Sequence, residues 1–159
     1  MRRKDREVKD FDKLVEIVDA CEIIRLGLAD GNFPYIVPLN FAYTAENGEF
    51  IFYVHGAMGG RKYELMKQNP YCSFEMDVPI ELDLIEEKGD VTMRYMSVIG
   101  TASITFLEGD EKEKAMDEIF IARSEMTRNY KYDKSALSHT AMMKLTAIDI
   151  VGKVNPVRK

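Results

Sequence analysis

The residues best suited to chemistry lie in one short run, His55-Gly56-Ala57-Met58-Gly59-Gly60-Arg61-Lys62. An apolar, β-rich pattern ends at His55, and a helical pattern begins near Arg61. The glycines between them free the backbone to curl. A helix N-terminus exposes unpaired N–H groups and carries partial positive charge. Arg61 and Lys62 add two full charges, and together these features describe an anion site. The same residues also fit an ordinary glycine-rich turn with a solvated Arg-Lys pair. The run is not a P-loop, because Gly-x-x-x-x-Gly-Lys-Ser/Thr is absent, and it has neither Gly-x-Gly-x-x-Gly nor a surrounding βαβ unit. His55, titrating near pH ~6.5 in water, can donate to an anionic ligand or serve as a hydrogen-bonded spacer that shapes the turn.

Two further segments can line a site. In Phe33-Pro34-Tyr35-Ile36-Val37-Pro38-Leu39-Asn40-Phe41, Pro38 interrupts a strand pattern. Neighbouring backbone groups are then left to pair with the polar edge of a planar ligand, or the segment is simply an edge strand kinked by proline. In Tyr95-Met96-Ser97-Val98-Ile99-Gly100-Thr101-Ala102, Ser97 offers a hydroxyl and Gly100 permits close approach of a chain or ligand. That segment reads equally as a barrel strand with a bulge.

The elements that must hold these residues follow from patterning. Asp10 caps a helix over 11–20, with Leu14, Ile17 and Val18 on one face. Strands are expected over 21–28, 33–43 and 49–55, joined by the turn dipeptides Asp30-Gly31 and Asn47-Gly48. A helix over 61–68 stops at Asn69-Pro70. Strands over 71–78 and 91–107 flank an acidic stretch, 81–90, which reads as a solvated loop or a short excursion. The longest helical stretch runs from 109 to about Met126 with Met116, Ile119 and Phe120 buried. An irregular stretch holding His139 and a lid expected at Tyr130-Lys131-Tyr132 precedes a last strand over 140–151. Hairpins dominate, so the expected fold is mainly β: an antiparallel barrel with peripheral helices. One domain is expected over 1–159, with a loose arm over 1–9 and a tail over 153–159.

Bulk properties set the class. The chain has 159 residues, 46% hydrophobic and 31% charged, with a net charge of -5. That balance argues against general nucleic-acid binding. Cys21 and Cys72 form no zinc or redox pattern, and no metal site is expected. No membrane-length apolar run and no signal-like apolar region follow the basic start, so the expected location is cytoplasmic.

With its segments in this order, the chain resembles the pyridoxamine 5′-phosphate oxidase-related FMN-binding split-barrel proteins, above all the subgroup containing the 5-nitroimidazole-resistance proteins. The carrying residues are Met1-Arg2-Arg3-Lys4-Asp5-Arg6-Glu7, Arg25-Leu26-Gly27-Leu28, Pro34 to Phe41, Phe52-Tyr53-Val54-His55-Gly56-Ala57 with Gly60-Arg61-Lys62, and Ser97-Val98-Ile99-Gly100. The resemblance implies an FMN-binding split barrel of antiparallel strands and a homodimer with FMN at the subunit interface. By it, the Val37-Pro38-Leu39-Asn40 backbone lies along the flavin. His55, Gly56 and Ala57 approach the ring and ribityl chain, Gly60, Arg61 and Lys62 hold the phosphate, and Ser97 and Val98 complete the pocket from the partner chain. His55 matches a histidine linked to reactivity beside the flavin. The implied activity is FMN-dependent reduction of a small acceptor such as a nitro compound or quinone. The alternatives are a non-enzymatic FMN carrier or redox sensor, or a split barrel using haem or deazaflavin. The Arg-x-Val-x-Leu-Lys motif of the true oxidase and its basic C-terminal signature are missing, so pyridoxal phosphate synthesis is not expected.

Overall fold

A computed structural model describes residues 2–121 and 130–155. Six strands close into an antiparallel barrel and a seventh lies outside it. The outside strand is β1 (Glu7–Val8). The barrel strands are β2 (Ile23–Leu28), β3 (Tyr35–Glu46), β4 (Glu49–Ala57), β5 (Tyr71–Ile85), β6 (Asp90–Leu107) and β7 (Thr140–Asn155). The order β7-β4-β3-β2-β5-β6 closes through a β6–β7 ladder. Alternating residues fill the interior: Phe50, Phe52 and Val54 from β4 stack against Phe41 and Phe74, while the intervening Ile51, Tyr53 and His55 face outward.

Among the described residues three α-helices sit around the barrel. Helix α1 (Phe11–Asp19) starts where the Asp10 carboxylate accepts from the Lys13 N–H at 3.1 Å, and it buries Leu14, Ile17 and Val18. Helix α2 (Arg61–Gln68) follows β4 and sends Leu65 and Met66 into the main core. Helix α3 (Gly109–Lys114) widens into a π-helical turn over Ala115–Ile121 rather than continuing as one α-helix. The wider turn brings Ala115, Met116, Ile119 and Phe120 onto a second small core with Leu107 and Met142. Met126, expected to extend that helix, lies outside the described residues.

The acidic stretch 81–90 is an excursion rather than a solvated loop: it forms a protruding β-hairpin. β5 continues past a bulge at Pro79/Glu81 and pairs with β6 up to Ile85↔Asp90. Glu81 and Asp83 alternate with Leu82 and Leu84, a period of two that high polarity disguises. The ends also differ from expectation. Glu7 and Val8 pair with Lys153 and Gly152, so neither the N-terminal arm nor the C-terminal tail is loose there. Gly152 permits this: a Cβ on it would sit 2.8 Å from the Leu14 side chain and 3.0 Å from that of Val8.

Candidate functional site

The β3–β4 ladder stops short of the ends of its strands. β3 and β4 pair from Glu46↔Glu49 only as far as Phe41↔Val54. Beyond that point each strand keeps one partner. Residues 35–40 of β3 pair with β2, and residues 55–57 of β4 pair with β7. The edge of β3 at Val37-Pro38-Leu39-Asn40 and the edge of β4 at His55-Gly56-Ala57 therefore diverge and leave their facing backbone groups unladdered. Pro38 suits this place, since it has no N–H to donate. Val37 and Leu39 turn inward against the core, while Ile36, Pro38 and Asn40 are exposed.

The glycine-rich turn sits at the mouth of the seam. Gly60 holds φ +83°, a left-handed value that favours glycine, and is the N-cap residue of α2. Its cap carries no side-chain hydrogen bond, so the first N–H groups of α2 are not closed off by a capping side chain. Lys62 folds back across Gly56: a Cβ built on Gly56 would lie 2.7 Å from the Lys62 Cε and Nζ. Gly56 is thus a cradle for the Lys62 ammonium. Arg61 reaches the other way. Its Nε donates to the Asp30 carboxylate at 2.6 Å, and its guanidinium lies 5.7 Å from the Tyr35 ring centroid. Two cations consequently bracket the N-terminus of one helix.

His55 faces outward beside this turn and is half-buried. Its ring meets Phe120 of the π-helical turn edge-on, with centroids 4.6 Å apart. Burial lowers its pKa from the ordinary 6.5, and the Lys62 charge lowers it further. At neutral pH the imidazole is therefore uncharged and holds one N–H donor and one acceptor.

The segments foreseen as a site thus come together at residues 37–40 and 55–62. The exceptions are Ser97 and Val98. Val98 is buried, paired with Met76 and Gly152, so its side chain belongs to the barrel interior. Ser97 is half-buried on the outer face of β6, three strands from β3 in the sheet. Gly100 admits neither ligand nor partner chain. A Cβ there would overlap the Phe74 ring and the Asp149 carbonyl oxygen. Tyr132 donates to Asp117 at 2.7 Å and packs on the second core, whereas Tyr130 is exposed. Asp30 and Phe120 were not singled out as site residues. Asp30 carried only a turn signal, and Phe120 read as helix core. Among the described residues no cluster of His, Cys, Asp and Glu could hold a metal, and no helix is long and apolar enough to cross a membrane.

Comparison with known proteins gives the site a context. The family described as pyridoxamine 5′-phosphate oxidase matches residues 10–154. No curated protein matches the sequence. Among solved structures, a candidate 5-nitroimidazole antibiotic resistance protein from Bacteroides thetaiotaomicron is 23% identical, with a TM-score of 0.76 over 93% of this chain and 86% of that one. The flavocytochrome Anf3 from Azotobacter vinelandii is 17% identical, with a TM-score of 0.80 over 99% and 72%. An FAD- and haem-binding protein from Mycobacterium smegmatis is 14% identical, with a TM-score of 0.77 over 94% and 73%. At these identities the likeness is one of fold.

Proposed function

The chain belongs to the pyridoxamine 5′-phosphate oxidase family, and from that premise we propose that it is an FMN-binding flavoprotein that reduces small electron acceptors. The observation that carries this reading is the open seam with the Gly56 cradle and two cations at its mouth. An isoalloxazine is planar with a polar edge, which suits the unladdered backbone of Val37-Pro38-Leu39-Asn40. A single phosphate suits the N-terminus of α2 with Lys62 and Arg61. FMN carries one phosphate, whereas FAD, named for the Mycobacterium smegmatis protein, carries two.

When bound, FMN would supply the electron-transfer chemistry. The chain's own residues supply position and polarity. His55 and Gly56 approach the ring and ribityl chain, and Ala57 continues that wall. The neutral His55 imidazole offers its N–H to a flavin or acceptor oxygen, and the Phe120 ring keeps water from one edge of it. Ser97 stands three strands from β3 within one chain, so it joins the site only from a second chain. The reading therefore includes a homodimer that shares its cofactor sites.

Apart from His55, the charged groups at the seam are Arg61, Lys62 and Asp30, which hold charge rather than pass protons, and that set also fits a non-enzymatic FMN carrier or redox sensor. Purified protein should be yellow and release FMN, identified by mass, on denaturation. It should also turn over a nitro compound or quinone with a nicotinamide donor. Protein that is colourless and takes up no added FMN would overturn flavin binding. A bound haem or deazaflavin would replace the cofactor. FMN without turnover would leave the carrier.

A further inference from the structure

The outer face of β4 carries more than His55. Tyr53 points the same way two residues earlier, and the ladder sets Met142 of β7 opposite His55 and Lys144 opposite Tyr53. β6 adds Leu107 opposite Met142. The row of His55, Met142 and Leu107 is sealed. Met142 and Leu107 are buried, and the Phe120 ring lies on His55. The next row is not. Between Tyr53 and Lys144 on the sheet and α3 with its π-helical turn lies a cavity of about 200 Å³. That is the volume of about seven waters at ~30 Å³ each, enough for one small ring.

The lining of this cavity divides by chemistry. Leu107, Ala115 and Ile119 give it an apolar wall. Lys144 and Lys114 bring two ammonium groups and Glu111 one carboxylate, a surplus of one positive charge. Glu111 and Lys114 are three residues apart on α3 and so share a face. Tyr53 supplies a hydroxyl. Burial pushes its phenol above the ordinary value, opposed only in part by a hydrogen bond with Thr44, so the group is protonated at neutral pH and can donate. A cation in this cavity would meet like charge. A phosphate or sulfate would match the rim and leave the apolar wall uncovered. A planar ring bearing one carboxylate satisfies both halves.

We propose that this cavity binds a small aromatic monocarboxylate, with its carboxylate between the Lys144 ammonium and the Tyr53 hydroxyl and its ring against Leu107, Ala115 and Ile119. Lys144 and Tyr53 are directly opposite in the ladder, which sets their Cβ atoms about 5 Å apart, so one carboxylate reaches both. The site is separate from the β3–β4 seam and does not depend on the flavin reading. It is nevertheless a neighbour of the seam, since two residues of strand, about 7 Å, separate Tyr53 from His55. Ile119 also precedes Phe120 in the π-helical turn, so an occupant braces the turn that covers His55.

Isothermal titration of the whole chain with benzoate, and with benzamide as its neutral counterpart, tests this. Benzoate should bind about 10-fold more tightly than benzamide or better, the worth of a charge-assisted hydrogen bond. Lys144→Met should weaken benzoate about 10- to 100-fold while keeping the wild-type circular dichroism. Ile119→Trp, which fills the cavity and keeps both ammonium groups, should abolish binding. Glu111→Gln should tighten it about 2- to 5-fold by removing the carboxylate at the rim. Lys62→Ala should leave it unchanged, because that ammonium lies at the seam. The chain has two histidines, so proton NMR locates the ligand: benzoate should shift the His55 ring signals and leave those of His139 in place. No binding at millimolar benzoate, binding that survives both Lys144→Met and Ile119→Trp, or binding lost in Lys62→Ala would each overturn the site. Benzamide binding as tightly as benzoate would overturn the carboxylate assignment. Colourless protein that still binds benzoate would overturn the flavoprotein reading and support this site.

Discussion

The barrel has two seams built from the same kind of antiparallel strand, and they behave oppositely. At the β6–β7 seam the ladder runs from Leu107↔Met142 to Tyr95↔Asn155, with one irregularity at Thr101/Ala102. Gly100 there gives way to a ring and a carbonyl packed from within the same chain. At the β3–β4 seam the ladder stops at Phe41↔Val54, and Gly56 gives way to a flexible, charged side-chain end. Glycine thus closes one seam and equips the other. What separates them is whether the neighbour crowding the glycine is rigid core or a cation that can turn to a ligand.

The sharpest way to break this contrast is at the closed seam. Phe74→Ala removes a buried ring touching Phe52 and should cost about 3–5 kcal/mol of stability, read from the denaturant midpoint. Gly100→Ala should cost about 1–3 kcal/mol, because backbone must shift to admit the methyl group. A midpoint unchanged in both variants would mean that the closed seam is not rigid. At the open seam the order of effects reverses. Lys62→Ala should leave folding almost untouched yet weaken FMN binding about 10- to 100-fold, the loss of one charge-assisted hydrogen bond. Gly56→Ala should act the same way by displacing the ammonium, more weakly because Lys62 can swing aside. Isothermal titration with FMN checks both, and equal affinity across wild type and variants would remove Lys62 from the site.

The smallest effect concerns His55. Its pKa is lowered on folding, by burial first and then by Lys62. Above pH 6.5 the imidazole is neutral in both folded and unfolded chains and contributes no pH dependence. As pH falls below 6.5 the unfolded chain binds a proton that the folded chain resists, so stability of the apoprotein should fall. His55→Gln should flatten that fall in melting temperature between neutral and mildly acidic pH. An identical slope in the variant would mean that the imidazole is not desolvated.

The sequence made the closed parts readable because periodicity and burial coincide there. Phe50, Phe52 and Val54 alternate with Ile51, Tyr53 and His55, and the α1 stripe of Leu14, Ile17 and Val18 is capped where Asp10 says it should be. The site's two walls were visible as exceptions to that regularity, a proline in one strand and glycines after another. Three features were not visible. The alternation of the 81–90 hairpin is masked by carboxylates, one of which pairs with a buried arginine. Asp30 as the partner of Arg61 depends on a contact 31 residues apart, which no local pattern encodes. The approach of Phe120 to His55 depends on a π-helical turn, and residue types alone do not distinguish it from an α-helix.

The central claim is that the cofactor occupies the β3–β4 seam. Backbone hydrogen–deuterium exchange with and without FMN tests it directly. Slower exchange should appear in peptides covering 35–40 and 55–62, with little change across the ladder of β6 and β7. Bound FMN that leaves both segments exchanging at the apoprotein rate, or that protects another region instead, would contradict the account.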